Sequence, residues 1–341
     1  MEIIRKIILK AIQINNALLF FITVFLIVFS TMIMMVLEPE TFQKPFDALW
    51  WVMTTVTTVG YGDLYPVTTP GRIYTIFLYI VGIGTIGVVI GKVVDAFVAI
   101  RKRREEGSLN YHGKNHIIIV GWSKKAHHAA KEILQTDDKI NIVIIDQLEK
   151  SPLMIDRVYY VKGDATDERT LRQANINHAK ALLVFSDDSI KDPMLQDGKT
   201  LLIATMIEHL APHVHTTVEI MKEDHIKSFQ HANVDEFVLA DEMISRIAVR
   251  SAFSNGITSI FSQLLSRREG DDLYEIKARQ EWKTYRDAFT ELLSMGATLI
   301  SDRGELHINR RLDELIPNDA KLYVICDRNT YERITDKDKK Y

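Results

Sequence analysis

Cysteine is nearly absent: Cys326 is the single thiol in 341 residues. A disulfide scaffold is excluded, and this usage suits a reducing cytosolic environment. Net charge is scarce as well, with 42 Lys and Arg against 45 Asp and Glu, so nucleic acid is not expected as a partner. The scarcity that matters is local. Only 12 of the 87 charged residues fall in the first 100 positions, and the other 75 lie in the remaining 241. The length suits two or three domains, and the asymmetry excludes a simple soluble protein.

No charge interrupts Ala11 to Leu37, and Ala17 to Leu37 is a run of 21 residues broken only by Thr23, Ser30 and Thr31. About 20 apolar residues cross the hydrocarbon core of a bilayer. A second uncharged run, the 19 residues from Ile73 to Gly91, continues as a mostly apolar pattern to Ile100. Two such runs argue against core helices of a soluble domain. The first is also too long for a signal peptide and lacks a small-residue cleavage site. Arg5, Lys6 and Lys10 precede the first span, and Arg101, Lys102, Arg103 and Arg104 follow the second. The connection carries Glu38, Glu40, Asp47 and Asp63 against Lys44. The positive-inside rule predicts that both termini are cytoplasmic and that lipid surrounds the spans.

Within the connection, Pro45 opens a stretch, Phe46 to Thr58, that is uncharged except for Asp47 and too short to span. The pattern predicts a re-entrant helix with proline in its first turn and Trp50 and Trp51 as anchors. It ends in Thr57-Thr58-Val59-Gly60-Tyr61-Gly62-Asp63. Non-helical backbone at membrane depth is tolerated only where protein shields it or it lines a water-filled path. Glycines at alternate positions allow backbone dihedrals that other residues resist. Successive carbonyls can then point one way.

The second span, 72–100, is longer than the hydrocarbon is thick. Gly82, Gly84, Gly87 and Gly91 weaken it locally. They read as a hinge, foremost at Gly82 or Gly84, or as close packing through small residues, foremost at Gly87 and Gly91. Asp95 shares a broad face with Gly87 and Gly91, so it reads either as a pore-lining carboxylate or as the partner of Lys92.

After residue 115 short β-branched runs alternate with helical segments: 116–121, 141–146, 158–161, 181–185, 216–219 and 236–239. Six strands with intervening helices predict a doubly wound parallel sheet. Gly121 occupies the first position of a dinucleotide fingerprint, Ser123 replaces its second glycine, and Asp146 ends the second strand. Asp164 follows the third strand in Gly163-Asp164-Ala165-Thr166. Two readings stay open here, a nucleotide pocket and an inherited βαβ scaffold with a modified pocket. An acidic loop with Asp187, Asp188, Asp192 and Asp197, together with Glu219 or Glu223, offers oxygen ligands of the kind Ca²⁺ or Mg²⁺ takes. The same residues also suit a solvated loop. The histidines have no zinc spacing.

The Thr58–Asp63 segment between two spans, the basic linker and a Rossmann-like domain opening His116-Ile-Ile-Ile-Val-Gly121-Trp122 resemble prokaryotic two-span potassium channels with RCK domains (regulators of K⁺ conductance). The resemblance implies a filter of Thr58, Val59, Gly60, Tyr61 and Gly62, whose carbonyls in four chains replace the water shell of K⁺. Asp63 then caps the outer mouth. No arginine-repeat helix is present, so no voltage sensor of the usual kind is expected. The implied fold is an α-helical two-span pore domain, 1–100, with span 17–37, pore helix and filter 45–63, and inner helix 72–100. A linker, 101–115, leads to an α/β Rossmann-like doubly wound cytoplasmic lobe, 116–240. A helical clasp, 241–270, and a small α+β C-terminal lobe, 271–341, complete it.

The resemblance further implies a homotetramer in a prokaryotic plasma membrane, with RCK domains in a ring of eight that pulls on the inner helices. Some relatives draw the extra domains from an internal start, but no Met lies between Met53 and Met154. A calcium-gated type uses three carboxylates, of which Glu219 matches one while Phe185 and Met221 stand at the other two. The regulatory ligand is therefore left open among Ca²⁺ or another divalent cation, an adenine nucleotide and NAD. The expected function is a ligand-gated K⁺ channel rather than an enzyme. The alternatives are a constitutively open channel with an assembly-only ring and a membrane-anchored nicotinamide oxidoreductase.

Overall fold

The computed structural model describes residues 15–265 and 270–338. Arg5, Lys6 and Lys10, which enter the expected orientation, lie outside them, as do 266–269 of the expected clasp and 339–341 of the last lobe. The chain divides into two compact units at Arg103/Arg104.

In the first unit, α1 (Asn16–Leu37) starts at Asn15, whose side chain accepts from the Ala17 amide. Its Phe20, Phe21 and Phe25 are exposed, a surface that suits hydrocarbon and not water. Helix α2 (Pro45–Val56) is short, with proline in its first turn. Helix α3 (Thr69–Glu105) runs 37 residues without a break, about 55 Å at 1.5 Å per residue. Both α1 and α3 are long and apolar enough to cross a membrane. Met34, Phe42, Ala48, Trp51, Val52, Val56 and Leu78 form the buried cluster between the three helices. A hydrogen bond of 2.8 Å between the Ser30 and Tyr74 hydroxyls ties α1 to α3.

Helix α3 starts earlier and ends later than the expected 72–100, so residues 101–105 of the expected linker are helical. Arg104 donates to the carbonyls of Ile155 and Asp156 at 3.1 and 3.2 Å and lies over the Tyr159 ring. The Gly107 carbonyl accepts from the Lys162 amide and from the Gln173 side chain, each at 3.0 Å. A Cβ on Gly107 would sit 2.5 Å from the Lys162 nitrogen. Glycine here permits a close approach of two backbones, and the segment is bound rather than slack.

The second unit is built on six parallel strands: β1 (His116–Val120), β2 (Ile142–Asp146), β3 (Val158–Lys162), β4 (Ala179–Val184), β5 (His215–Glu219) and β6 (Glu236–Val238). Their order is β3-β2-β1-β4-β5-β6. The register sets Ile118 beside Val143 and Leu182. Ile118 belongs to one buried cluster and Ile119 to another, so the sheet is covered on both faces, as β-branched strands of a doubly wound fold require. Helices α4 (Lys124–Thr136), α5 (Glu168–Gln173) and α6 (Pro193–Leu210) make the connections.

Helices α7 (Ala240–Phe253) and α8 (Ile257–Leu265) bury no residue in the single chain. An antiparallel sheet, ordered β7 (Asp272–Lys277), β9 (Lys321–Cys326) and β8 (Thr298–Asp302), follows. It packs with α9 (Tyr285–Met295) and α10 (Arg328–Asp338) around Tyr285, Leu292, Leu322, Val324 and Ile334. Thr284 and Asp287 form a reciprocal capping box at the start of α9.

Candidate functional site

The chain leaves α2 through a tight return. The Thr54 carbonyl accepts from both the Val59 and Gly60 amides, at 2.9 and 3.1 Å. Thr58, Gly60 and Gly62 have φ of 62°, 54° and 72°, while Val59 and Tyr61 between them do not enter the left-handed region. The backbone therefore changes hand at every residue from 58 to 62. Trp50 backs this segment from α2: its indole N–H donates to Asp63 at 3.0 Å and its ring stacks on Tyr61 at 5.7 Å. Trp50 read from the sequence only as an anchor, and its spacing of thirteen residues from Asp63 carries no local signal.

Glu38, just beyond α1, is 1% exposed. It accepts from the Thr68 amide and hydroxyl, both at 2.7 Å, at the entry to α3. A Cβ on Gly71 would meet its carboxylate, so glycine at that turn makes room for the buried acid. Read in sequence, Glu38 counted only toward loop charge.

The glycines of α3 fall into two groups. A Cβ on Gly82 would meet Val56 Cγ2 at 3.0 Å, whereas Gly84, Gly87 and Gly91 have open space around them. Gly82 thus packs closely against the end of α2, in line with the second of its two readings. Asp95 is exposed on the same helix.

In the α/β domain a cavity of about 350 Å³ opens at the carboxyl ends of the strands, beside the neighbouring β1 and β4, where the strand order reverses. This crevice is where doubly wound sheets hold ligands. Gly121, Asp146, Asp164, Asp187, Asp188 and Lys199 are among its walls. Gly121 has φ 83°, and a Cβ there would press on the Phe185 carbonyl at 3.1 Å. The two Asp146 oxygens accept the amides of Trp122 and Gln147 at 2.6 and 2.7 Å. Asp164 accepts from Thr166 and from the Gln147 side chain, and the Thr166 amide is the main cause of its lowered pKa. Lys199 donates to Asp187 at 2.7 Å, and with Ser189 it holds that carboxyl at about 2.

Two groupings expected from the sequence change. Ser123 is not among the cavity walls; its hydroxyl accepts from the Ala126 amide and caps α4. The carboxylates Asp187, Asp188 and Glu219 do not gather as an open ligand set, because lysines occupy them: Lys199 on Asp187, Lys125 on Asp188 and Glu219. Glu223 lies apart, in a short 3₁₀ turn after β5. Asp197 is buried in α6 and not in the loop, accepting from the Met221 amide and from His225. Among the described residues there is no group of three His, Cys, Asp or Glu able to hold a metal. Lys125 and Lys199 had no motif to mark them.

Among the described residues, two helices long and apolar enough to cross a membrane, with a short helix between them in the chain, followed by a Rossmann-like domain, define a membrane protein of the regulated-channel class. Residues 19–99 match the family described as "Ion channel", and residues 117–240 match the "TrkA-N domain". A Bacillus subtilis (strain 168) protein named for a potassium channel, YugO, is 31% identical over 222 residues, covering 65% of this chain and 67% of that one. The calcium-gated potassium channel TvoK of Thermoplasma volcanium is 32% identical over 236 residues, covering 68% and 67%. The human SLO3 gating ring shares the fold at a TM-score of 0.50, with 12% identity over 64% of this chain and 46% of that one. The chain belongs to the two-span potassium channels that carry an RCK (TrkA-N) domain.

Proposed function

We propose that four copies of this chain form a K⁺-selective pore in a prokaryotic cell membrane, with both termini cytoplasmic. Thr58, Val59, Gly60, Tyr61 and Gly62 supply the filter and Asp63 its outer mouth. The observation that carries this reading is the alternation of backbone hand at Thr58, Gly60 and Gly62. Alternating hands turn successive peptide planes so that N–H groups face one side and carbonyls the other. Four such rows of carbonyls around an axis replace the hydration shell of K⁺.

The test is cation flux in proteoliposomes. Wild type passes K⁺ in large excess over Na⁺. Gly60→Ala or Gly62→Ala, which places a Cβ on a left-handed residue at a cost of about 1–2 kcal/mol, abolishes that preference. Equal K⁺ and Na⁺ flux in the wild type overturns the reading.

The RCK domain regulates the pore through a small ligand in the strand-end cavity. Asp146 is a preorganised acceptor there, fixed by two amides and with lone pairs left for ligand hydroxyls, as a nucleotide ribose offers. RCK domains of neighbouring copies pair through α7 and α8, whose Ile244 and Phe253, and Ile260 and Leu265, are exposed, in a ring of eight. Ligand binding favours one ring arrangement by its differential affinity, and α3 carries the change to the pore. Gly84 is then the hinge, while Gly87, Gly91 and Asp95 line the inner mouth. Thermal shift of the full-length protein against ADP and NAD tests the cavity: a shift abolished by Asp146→Ala supports it. Flux unaffected by any ligand favours an assembly-only ring.

A further inference from the structure

One ammonium group stands where two carboxylates meet, at the carboxyl ends of β4 and β5. Lys125 Nζ lies 2.8 and 2.9 Å from the two oxygens of Glu219 and 3.2 Å from Asp188. The Glu219 side chain is 4% exposed and that of Lys125 38%. One Glu219 oxygen also accepts the Ser186 amide at 3.0 Å, and the Ser186 hydroxyl donates to the Glu219 carbonyl at 3.3 Å. Lys125 therefore joins three pieces of chain: the first turn of α4, the loop after β4, and the end of β5. Ser186 and Asp188 also belong to the cavity wall.

A carboxylate this deeply buried needs a counter-charge. A divalent cation on oxygen ligands is one solution; a lysine carried by the chain is another. Burial alone pulls the Lys125 pKa down, but Glu219 and then Asp188 outweigh it and hold it above the ordinary lysine value. The side chain thus stays charged at any physiological pH.

We propose that Lys125 is a built-in cation that fills the Glu219–Asp188 position, so that the cavity wall is held without a metal and divalent cations gain this position only when the lysine is removed. The proposal concerns ion occupancy alone and does not depend on what the cavity binds.

The test uses the full-length protein in detergent and K⁺, freed of divalent ions by chelation, with Tm as the readout. Lys125→Met should lower Tm by roughly 3–8 °C, because it strands a buried carboxylate. Millimolar Ca²⁺ or Mg²⁺ should restore most of that loss, while the wild type gains nothing attributable to Glu219. Lys125→Met combined with Glu219→Gln should recover stability without metal and respond to neither ion. A Lys125→Met protein indifferent to both ions overturns the proposal. If that variant does not fold, equilibrium dialysis of radioactive Ca²⁺ against wild type and Glu219→Gln decides. Equal binding by the two supports the proposal, and a wild-type ion that Glu219→Gln removes overturns it.

Discussion

The indole nitrogen of Trp50 donates to the Asp63 carboxylate at 3.0 Å, joining α2 to the residue that follows Gly62. With the Tyr61 ring stacked on the same indole, one α2 side chain buttresses both ends of the Tyr61–Asp63 stretch. Trp50→Phe keeps an aromatic face but deletes the donor, so it separates the two effects. Both partners are exposed, which puts the loss near about 1 kcal/mol. K⁺ flux through reconstituted Trp50→Phe channels is expected to decline faster with time than wild-type flux. An unchanged time course would show that the bond has no part in holding the segment.

Glu38 seals the start of α3 through Thr68. Removing the carboxylate strands the Thr68 amide and hydroxyl and opens space against Gly71. Glu38→Ala should cost about 1–3 kcal/mol, and Glu38→Gln less, since an amide oxygen still accepts. Thermal unfolding of the detergent-solubilised full-length protein measures both. Equal losses for the two variants would argue that charge and not hydrogen bonding matters.

Arg104 fixes the last turn of α3 to the carbonyls of Ile155 and Asp156. Arg104→Ala should leave filter selectivity intact while weakening the response of flux to a regulatory ligand, by about 1 kcal/mol of coupling. The comparison is the ligand-dependent change in K⁺ flux, wild type against variant. A variant with full response would place the coupling elsewhere.

His116 is fully buried at the start of β1, and one ring nitrogen accepts from or donates to nothing while the other meets the Ala174 carbonyl at 3.0 Å. Burial is the main cause of its lowered pKa; the Ala174 carbonyl opposes the shift and His178 adds to it. The sign follows from proton counting. Below the ordinary histidine pKa of 6.5 the unfolded chain binds a proton that the folded domain does not, so stability falls as pH drops through that region. The slope attributable to this residue is at most about 1.4 kcal/mol per pH unit. Tm measured between pH 8 and pH 5 should fall less steeply in His116→Gln than in the wild type.

Much of the fold was legible because its signals are local. The charge-free runs of the first hundred residues, the proline opening α2 and the alternating glycines all act within a few residues of themselves. The six strands announced themselves through β-branched runs, and their parallel order follows from the helices between them. The hidden features depend on residues far apart in the chain. Trp50 and Asp63, Glu38 and Thr68, and Lys125 and Glu219 are separated by 13, 30 and 94 residues. No periodicity marks such pairs.

The acidic residues after β4 show what composition leaves open. Asp187, Asp188 and Glu219 suggested a cation site, and each does hold a cation, but a lysine. Composition records that charges are present, whereas only three-dimensional proximity decides which charge neutralises which. The same holds for Gly82 and Gly84, alike in sequence, one pressed on Val56 and one open.

The sequence by itself determined the division into a charge-poor membrane third and a charged remainder. Transfer of apolar side chains out of water depends on composition and run length alone. Tertiary structure decided where the backbone beyond Arg103 finds its partners and how the acids are occupied. A helix that continues past Ile100 to Glu105 and a glycine whose carbonyl meets Lys162 follow from backbone groups finding partners far along the chain. Buried hydrogen bonds and counter-charges are satisfied in space, and sequence distance places no limit on where they are found.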